Sequence, residues 1–316
     1  MTIQQLEYII AVDNYRHFAK AAEACYVTQP TLSMMIQKLE EELDVKIFDR
    51  SAHPVEPTRI GEQILHEARV SVRYFSQIRE LVDNEKNMLT GDFRLGVIPT
   101  IASYVVPELL QQMKESSLNI NLMLQEMPTS KVVEYVLNGK LDGGLLATPL
   151  KHPMLIEYPI YYEKFYAYIS PLDSDLKKQE EIDLQEVDVR TMWLLENVHC
   201  LRGQIVKLCQ LRKEKSKHET IKYESGSIET LINIVDYNGG MTIIPEMAAM
   251  SLSEDRQENL RRLKGDVSVR EVSLIVNRDF VRQRMADSLI EIIKDCIPIS
   301  MQDPALKQYA IDVSYD

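Results

Sequence analysis

The first sixty residues carry three short helical patterns. Between Ile3 and Asp13, the residues Leu6, Ile9 and Ile10 fall on one face, the spacing of an amphipathic helix. Phe18, Ala21, Ala22 and Cys25 follow at i, i+3, i+4 and i+7 and predict a second helix with one buried stripe. A third helix is predicted from Thr28, a good N-cap, through Pro30, which in a first turn gives up only an N–H that has no helical partner, to Leu43. Leu32, Ile36, Leu39 and Leu43 form its inner face, leaving Gln29, Thr31, Ser33, Met34 and Gln37 outside. Two short helices joined by a few residues, the second presenting small polar side chains, describe a helix-turn-helix. Val45–Arg50 and Val55–Thr58 then predict two short wing strands.

From Gly61 to Leu89 the chain has no further Gly and no Pro. Leu65, Ala68, Val72, Phe75, Ile78, Val82 and Leu89 trace a seam at three- and four-residue steps. A helix of this length spans about 40 Å and must bury its seam, most simply against a second copy of itself. Thr90–Gly91 ends it and is the expected hinge. Beyond it, strand and helix patterns alternate. Strands are expected at Arg94–Ile98, Asn121–Glu126, Gly143–Ala147, Ile156–Tyr161, Phe165–Ile169, Met192–Leu195, Met241–Ile244 and Glu271–Val276. Helices are expected from Ile101, over Ser130–Leu137, and near Leu201–Cys209, Ile228–Asn238 and Arg282–Lys294. Alternation of this kind predicts open α/β sheets. Ser170–Val187 is polar and weakly patterned, and is read as a loop with a little helix.

Composition narrows the function. The net charge is −12, and even the first sixty residues hold nine acidic side chains against six basic ones, so nonspecific coating of nucleic acid is excluded. Contact with DNA must rest on where charges sit; Glu40, Glu41, Glu42 and Asp44 cluster at one helix end, which can face away. Four cysteines do not make a disulfide scaffold. No apolar run reaches the length of a membrane span, no signal peptide is seen at the start, and a reducing cytoplasm is the expected compartment. No cofactor is expected.

Phe18-Ala19-Lys20-Ala21-Ala22, Thr28-Gln29-Pro30-Thr31-Leu32-Ser33, Ile36-x-x-Leu39-Glu40-x-x-Leu43, Ile47-Phe48-Asp49-Arg50 and Thr58-x-x-Gly61 together resemble the DNA-binding signature of LysR-type transcription regulators. The departure is Asp44, where the family usually has Gly; Asp tolerates a left-handed turn. The segment Leu194–Gln204, with Glu196, His199, Cys200, Leu201, Arg202 and Gly203, followed by Cys209, resembles the redox-active segment of the hydrogen-peroxide sensors of that family. Ile98-Pro99-Thr100, Pro128-Thr129 and the stretches Glu229–Leu231 and Ile244–Glu246 resemble segments near their peroxide pocket. Val198 and Gly203 depart from the usual residues. The resemblance implies a winged helix-turn-helix over residues 1–60, a linker and dimerisation helix over 61–90, and a two-lobed, periplasmic-binding-protein-like α/β sensor domain over 91–300. Residues 301–316 form a tail with no assigned role. It further implies a dimer of dimers that activates oxidative-defence genes, with operator DNA, hydrogen peroxide and RNA polymerase as partners, and a reversible Cys200–Cys209 disulfide.

Each candidate residue has a plainer reading. Thr28, Gln29, Pro30, Thr31, Ser33, Met34 and Gln37 could be a solvated helix start, but with a preceding helix and a wing they fit a major-groove reader, in which Gln pairs with adenine. Arg50 and Arg59 suit phosphate or minor-groove contact. Cys25 and Cys296 lie among apolar neighbours, where Cys acts as a small hydrophobe. Cys200 opens a helix beside His199 and Arg202, and a helix N-terminus and cations both favour thiolate. Nine helical residues separate the Cα atoms of Cys200 and Cys209 by about 13.5 Å on opposite faces, beyond the ~7 Å a disulfide allows, so bonding requires unwinding. Zinc ligation by His199, Cys200, Cys209 and His218 has the wrong spacing and no C-x-x-C. Thr100 and Thr129 cap helices in many proteins; here both follow adjacent parallel strands, the usual ligand edge of open α/β sheets. The chain is not expected to be an enzyme, although a thiol peroxidase stays open. So does a LysR-type regulator that binds a small organic effector between its lobes.

Overall fold

A computed structural model describes the chain except residues 86–89, 117, 188–191, 197–199, 209–225, 266–267, 281 and 314–316, and the side chains at 73, 76, 77, 79–85 and 175. It divides into two compact units, residues 1–89 with 138–140, and residues 90–137 with 141–316.

The first unit is a winged helix-turn-helix. Helices α1 (Ile3–Tyr15), α2 (Phe18–Ala24) and α3 (Gln29–Leu43) enclose a core of Leu6, Ile9, Val12, Ala21, Ala22, Leu32, Ile36 and Leu39. The Thr28 hydroxyl accepts from the Thr31 N–H, closing the α3 start as its sequence predicts. Asp44 ends α3 in the left-handed region at φ 53°. Leu43, expected on the inner face, is exposed, because α3 stops there and its last turn overhangs the core. The wing is a two-residue ladder between β1 (Phe48–Asp49) and β2 (Glu56–Pro57). Helix α4 (Arg59–Glu85) follows. Gly61 sits where a Cβ would lie 2.0 Å from the Ile47 carbonyl oxygen, so the wing and α4 meet there at backbone contact distance.

The predicted α4 seam divides. Leu65 and Ala68 are buried in the helix-turn-helix core, with Val72 packed against it, whereas Phe75 and Ile78 are exposed at 56% and 64%. Arg69 is buried and donates to Asp13 Oδ2 at 2.8 Å, tying α4 to α1.

The second unit is built on two strands that run through both of its lobes. One lobe holds β3 (Thr90–Val97), β4 (Asn119–Glu126) and β5 (Gly143–Thr148), with β4 and β5 flanking β3 in parallel. Thr90 and Gly91, expected as the hinge, are already laddered to Asn119 and Ile120. Helices α5 (Pro99–Glu115) and α6 (Thr129–Leu137) leave the carboxyl ends of β3 and β4. The two strands expected at Ile156–Tyr161 and Phe165–Ile169 are one, β6 (Leu155–Ile169), because the polar pair Glu163–Lys164 between them stays in the ladder. In the other lobe β6 pairs with β8 (Met241–Pro245) and β9 (Leu260–Leu263), and β7 (Glu181–Ile182) pairs with β9. The region read as a loop with a little helix holds the short α7 (Ser174–Lys177) and, beyond that reading, supplies β7. Strand β10 (Val269–Asn277) returns antiparallel along β6 and also pairs with β5. Helices α8 (Cys200–Leu208), α9 (Ile228–Asn238), α10 (Glu246–Met250) and α11 (Glu254–Gln257) belong to the second lobe's chain, and α12 (Gln283–Asp295) packs on the first. Each lobe has its own apolar core. No helix among the described residues is long and apolar enough to cross a membrane.

Candidate functional site

On the helix-turn-helix, Thr28, Gln29, Pro30, Thr31, Met34 and Gln37 are exposed at the start and along one face of α3, and Arg59 is exposed at the start of α4. Gln37 donates to Glu41 at 2.9 Å. Ser33 is half-buried because its hydroxyl accepts from Arg50 Nη1 at 3.1 Å. Arg50 also reaches Glu40 Oε2 at 3.4 Å and lies over the Phe18 ring, 5.0 Å from its centroid. Its guanidinium is thus held beside α3 by three partners. Glu40, grouped by sequence with a surface acidic cluster, is buried instead. Its carboxylate accepts from the Ile47 and Phe48 N–H groups and pairs with Lys46 and Arg50, so it anchors the wing to α3. A glutamate on the α3 face continuous with Ile36 and Leu39, followed by exposed Glu41 and Glu42, was the signal in the sequence.

In the second unit, the two strands that cross the lobes bring a buried charge pair to their junction. Arg270 on β10 stands opposite Glu163 on β6 in the ladder, and their side chains pair at 3.1 Å with both essentially inaccessible. Arg270 Nη2 donates to the Thr100 hydroxyl at 2.6 Å and lies 4.0 Å from Cys200 Sγ. Burial opposes the Arg270 cation, but the Glu163 carboxylate beside it outweighs that and holds the guanidinium above its ordinary pKa. Its Nε has no partner among the described residues.

Cys200 is a free thiol, 5% exposed, at the first residue of α8. It packs in the first lobe's core, whereas Leu201 and Ile205 pack in the second's, so the start of α8 bridges the two. A second link between lobes lies nearby, where the Tyr104 hydroxyl on α5 donates to Glu229 on α9 at 2.8 Å. Burial, reinforced by Glu229, pushes the Tyr104 hydroxyl far up, which keeps it a donor.

Thr100, Thr129 and Arg202 are the predicted pocket residues that lie within the described part of the chain. Thr100 sits in the first turn of α5, whose N-cap is Ile98, so its hydroxyl serves Arg270 rather than capping. Thr129 is buried at the first residue of α6. Arg202 is turned to the Leu195 carbonyl, to which it donates at 2.7 Å; the cation placed at the sulfur is Arg270. His199, Cys209 and His218 lie outside the described residues. Among the described residues no cluster of His, Cys, Asp and Glu fits a metal ion. Sequence reading passed over Arg270 and Glu163. The available signal was charged residues within two strands rich in apolar side chains, Glu163 with Lys164 in one and Arg270 with Glu271 in the other, because a charge that such a strand buries must be paired.

Chemically, a guanidinium beside a buried sulfur is placed to stabilise negative charge that develops there, including on an oxygen expelled when the sulfur attacks an O–O bond. A winged helix-turn-helix on the same chain as a two-lobed α/β domain with such a thiol defines a sensor-type DNA-binding regulator. The chain belongs to the LysR family: the family's bacterial regulatory helix-turn-helix matches residues 3–62 and the LysR substrate-binding domain matches residues 86–296. It is 32% identical over 251 residues to the hydrogen peroxide-inducible genes activator of Haemophilus influenzae, covering 79% of this chain and 82% of that relative. A full-length OxyR variant from Pseudomonas aeruginosa is similar in structure, with TM-score 0.81 and 30% identity over 94% of this chain and 99% of that one. An H2O2-bound OxyR variant from Corynebacterium glutamicum has TM-score 0.58 and 25% identity over 93% and 92%.

Proposed function

We propose that this protein is a peroxide-responsive transcription regulator switched by Cys200 and Cys209. The observation that carries this reading is the Cys200 sulfur buried against Arg270 and Thr100. The thiolate attacks one peroxide oxygen, an S–O bond forms, the O–O bond breaks, and the departing hydroxide takes a proton to become water. The resulting sulfenic acid condenses with the Cys209 thiol, releasing a second water. The two thiols are oxidised and the peroxide is reduced to two waters. Because α8 is helical from Cys200 to Leu208, this bond requires the helix to open, and one covalent event thereby biases a two-state element. The altered sensor domain changes the spacing of the DNA-binding domains within a dimer of dimers, in the cytoplasm, where the bound regulator contacts RNA polymerase. Likeness to peroxide-inducible activators supports this reading over an organic effector held between the lobes. The helix-turn-helix speaks against a thiol peroxidase.

The test is mass spectrometry of peptides containing Cys200 and Cys209 before and after mild peroxide, with promoter activation read in parallel. A Cys200–Cys209 disulfide is expected in the wild type, none in Cys200→Ser, and a sulfenic acid that passes to sulfinic acid in Cys209→Ser. A wild type that activates transcription under peroxide with both thiols intact overturns the proposal.

A further inference from the structure

Residues 297–313, after α12, lie beyond the span matched by the LysR substrate-binding domain and pack on the second unit. It runs through two 3-10 turns, Ile299–Met301 and Pro304–Tyr309. Ala310 bridges to Val269 at the start of β10, and the Ile311 N–H donates to the Val269 carbonyl at 3.0 Å. Val313 is buried in the first lobe's core, whereas Ile311 packs against the second's. Between these anchors the backbone reaches α8. Gln204, fully buried, donates through Nε2 to the Ile311 carbonyl, and Lys207 Nζ donates to the Asp312 carbonyl at 2.9 Å. These two residues lie one and two turns beyond Cys200 on the same helix.

We propose that residues 304–313 act as a strap that holds α8 in its helical, reduced arrangement and so sets how readily Cys200 leaves its pocket. The strap is fastened at both ends to parts of the domain other than α8, and it meets the helix through backbone acceptors. Unwinding α8 takes the Gln204 and Lys207 donors away from those carbonyls; the part-buried Ile311 carbonyl then loses the donor of a fully buried Gln204, which is costly, whereas the exposed Asp312 carbonyl can turn to water. The exposed Lys151–Asp312 ion pair adds little. What the strap does to oxidation rests on the disulfide reading above; that it holds α8 does not.

Hydrogen exchange of the amides in 201–208 of the reduced, full-length protein tests this directly, since it reads the opening of α8 without any peroxide. A chain ending after Gln302 should exchange there about tenfold faster, the effect of losing two ordinary hydrogen bonds. Gln204→Met and Lys207→Ala should each give a smaller rise, and they carry the test if the shortened chain does not fold. Under peroxide the same variants should form disulfide faster than wild type. Unchanged exchange of α8 in folded variants overturns the strap, whatever peroxide does. Faster exchange together with a wild type that forms no disulfide upholds the strap and overturns the switch instead.

Discussion

At Arg270, one side chain carries two duties that a double substitution separates. Arg270→Met leaves the Glu163 carboxylate buried without its partner, and breaking such a pair costs about 3–5 kcal/mol. Replacing both, Arg270→Met with Glu163→Met, removes the stranded charge and should recover most of that loss. It should not recover the rate of Cys200 oxidation, because the cation at the sulfur is still missing. Urea denaturation reads the first quantity, and trapping of sulfenic acid in the Cys209→Ser background reads the second. Parallel recovery of both would mean that Arg270 serves packing alone. The same residues show the limit of reading a sequence. Cys200 and Thr100 stand out by motif and by position after a strand, but what joins them is a guanidinium from β10, 70 residues from one and 170 from the other. Glu40 fails for a related reason: its burial depends on the wing's N–H groups folding back onto α3, which no periodicity encodes.

Among the elements, those with strong local signals were legible to within a residue or two. The three helices of the helix-turn-helix and α9 follow from their apolar spacing and caps. Continuity across β6 was not, because a charged pair inside a strand looks like a break until its partner strand is known. Two element-scale outcomes follow. Gln29→Ala should weaken operator binding by about 1–3 kcal/mol with folding unchanged, given its exposure at the first residue of α3, as measured by fluorescence anisotropy. Ser33 is the less clean probe, since altering it also releases Arg50. Phe75→Glu should leave the helix-turn-helix stable but shift sedimentation toward monomer, because Leu65 and Ala68 are spent on the local core while Phe75 and Ile78 remain free for a second copy. Wild-type sedimentation of this variant would remove α4 from the interface.

On the scale of the whole molecule, the sensor domain is joined by β6 and β10 laddered to one another, from Leu155 opposite Asn277 to Lys164 opposite Val269. A hinge works where a few residues are free to change their dihedrals, and these crossings are hydrogen-bonded instead. Tyr104 with Glu229, and the start of α8 with a residue in each core, close the junction further. If Cys200 reacts as proposed above, a reactant should reach it through small movements of side chains rather than through a gap opened between lobes. Hydrogen peroxide should oxidise Cys200 far faster than cumene hydroperoxide, as followed by stopped-flow or by mass spectrometry of the Cys200 peptide. Equal rates for the two would mean that the lobes part. In kinetic terms a slow cumene hydroperoxide reaction would make the laddered crossing a sieve: selectivity would come from which oxidants are small enough to arrive, and thiol-reactive molecules of greater bulk would pass the sensor by without setting it off.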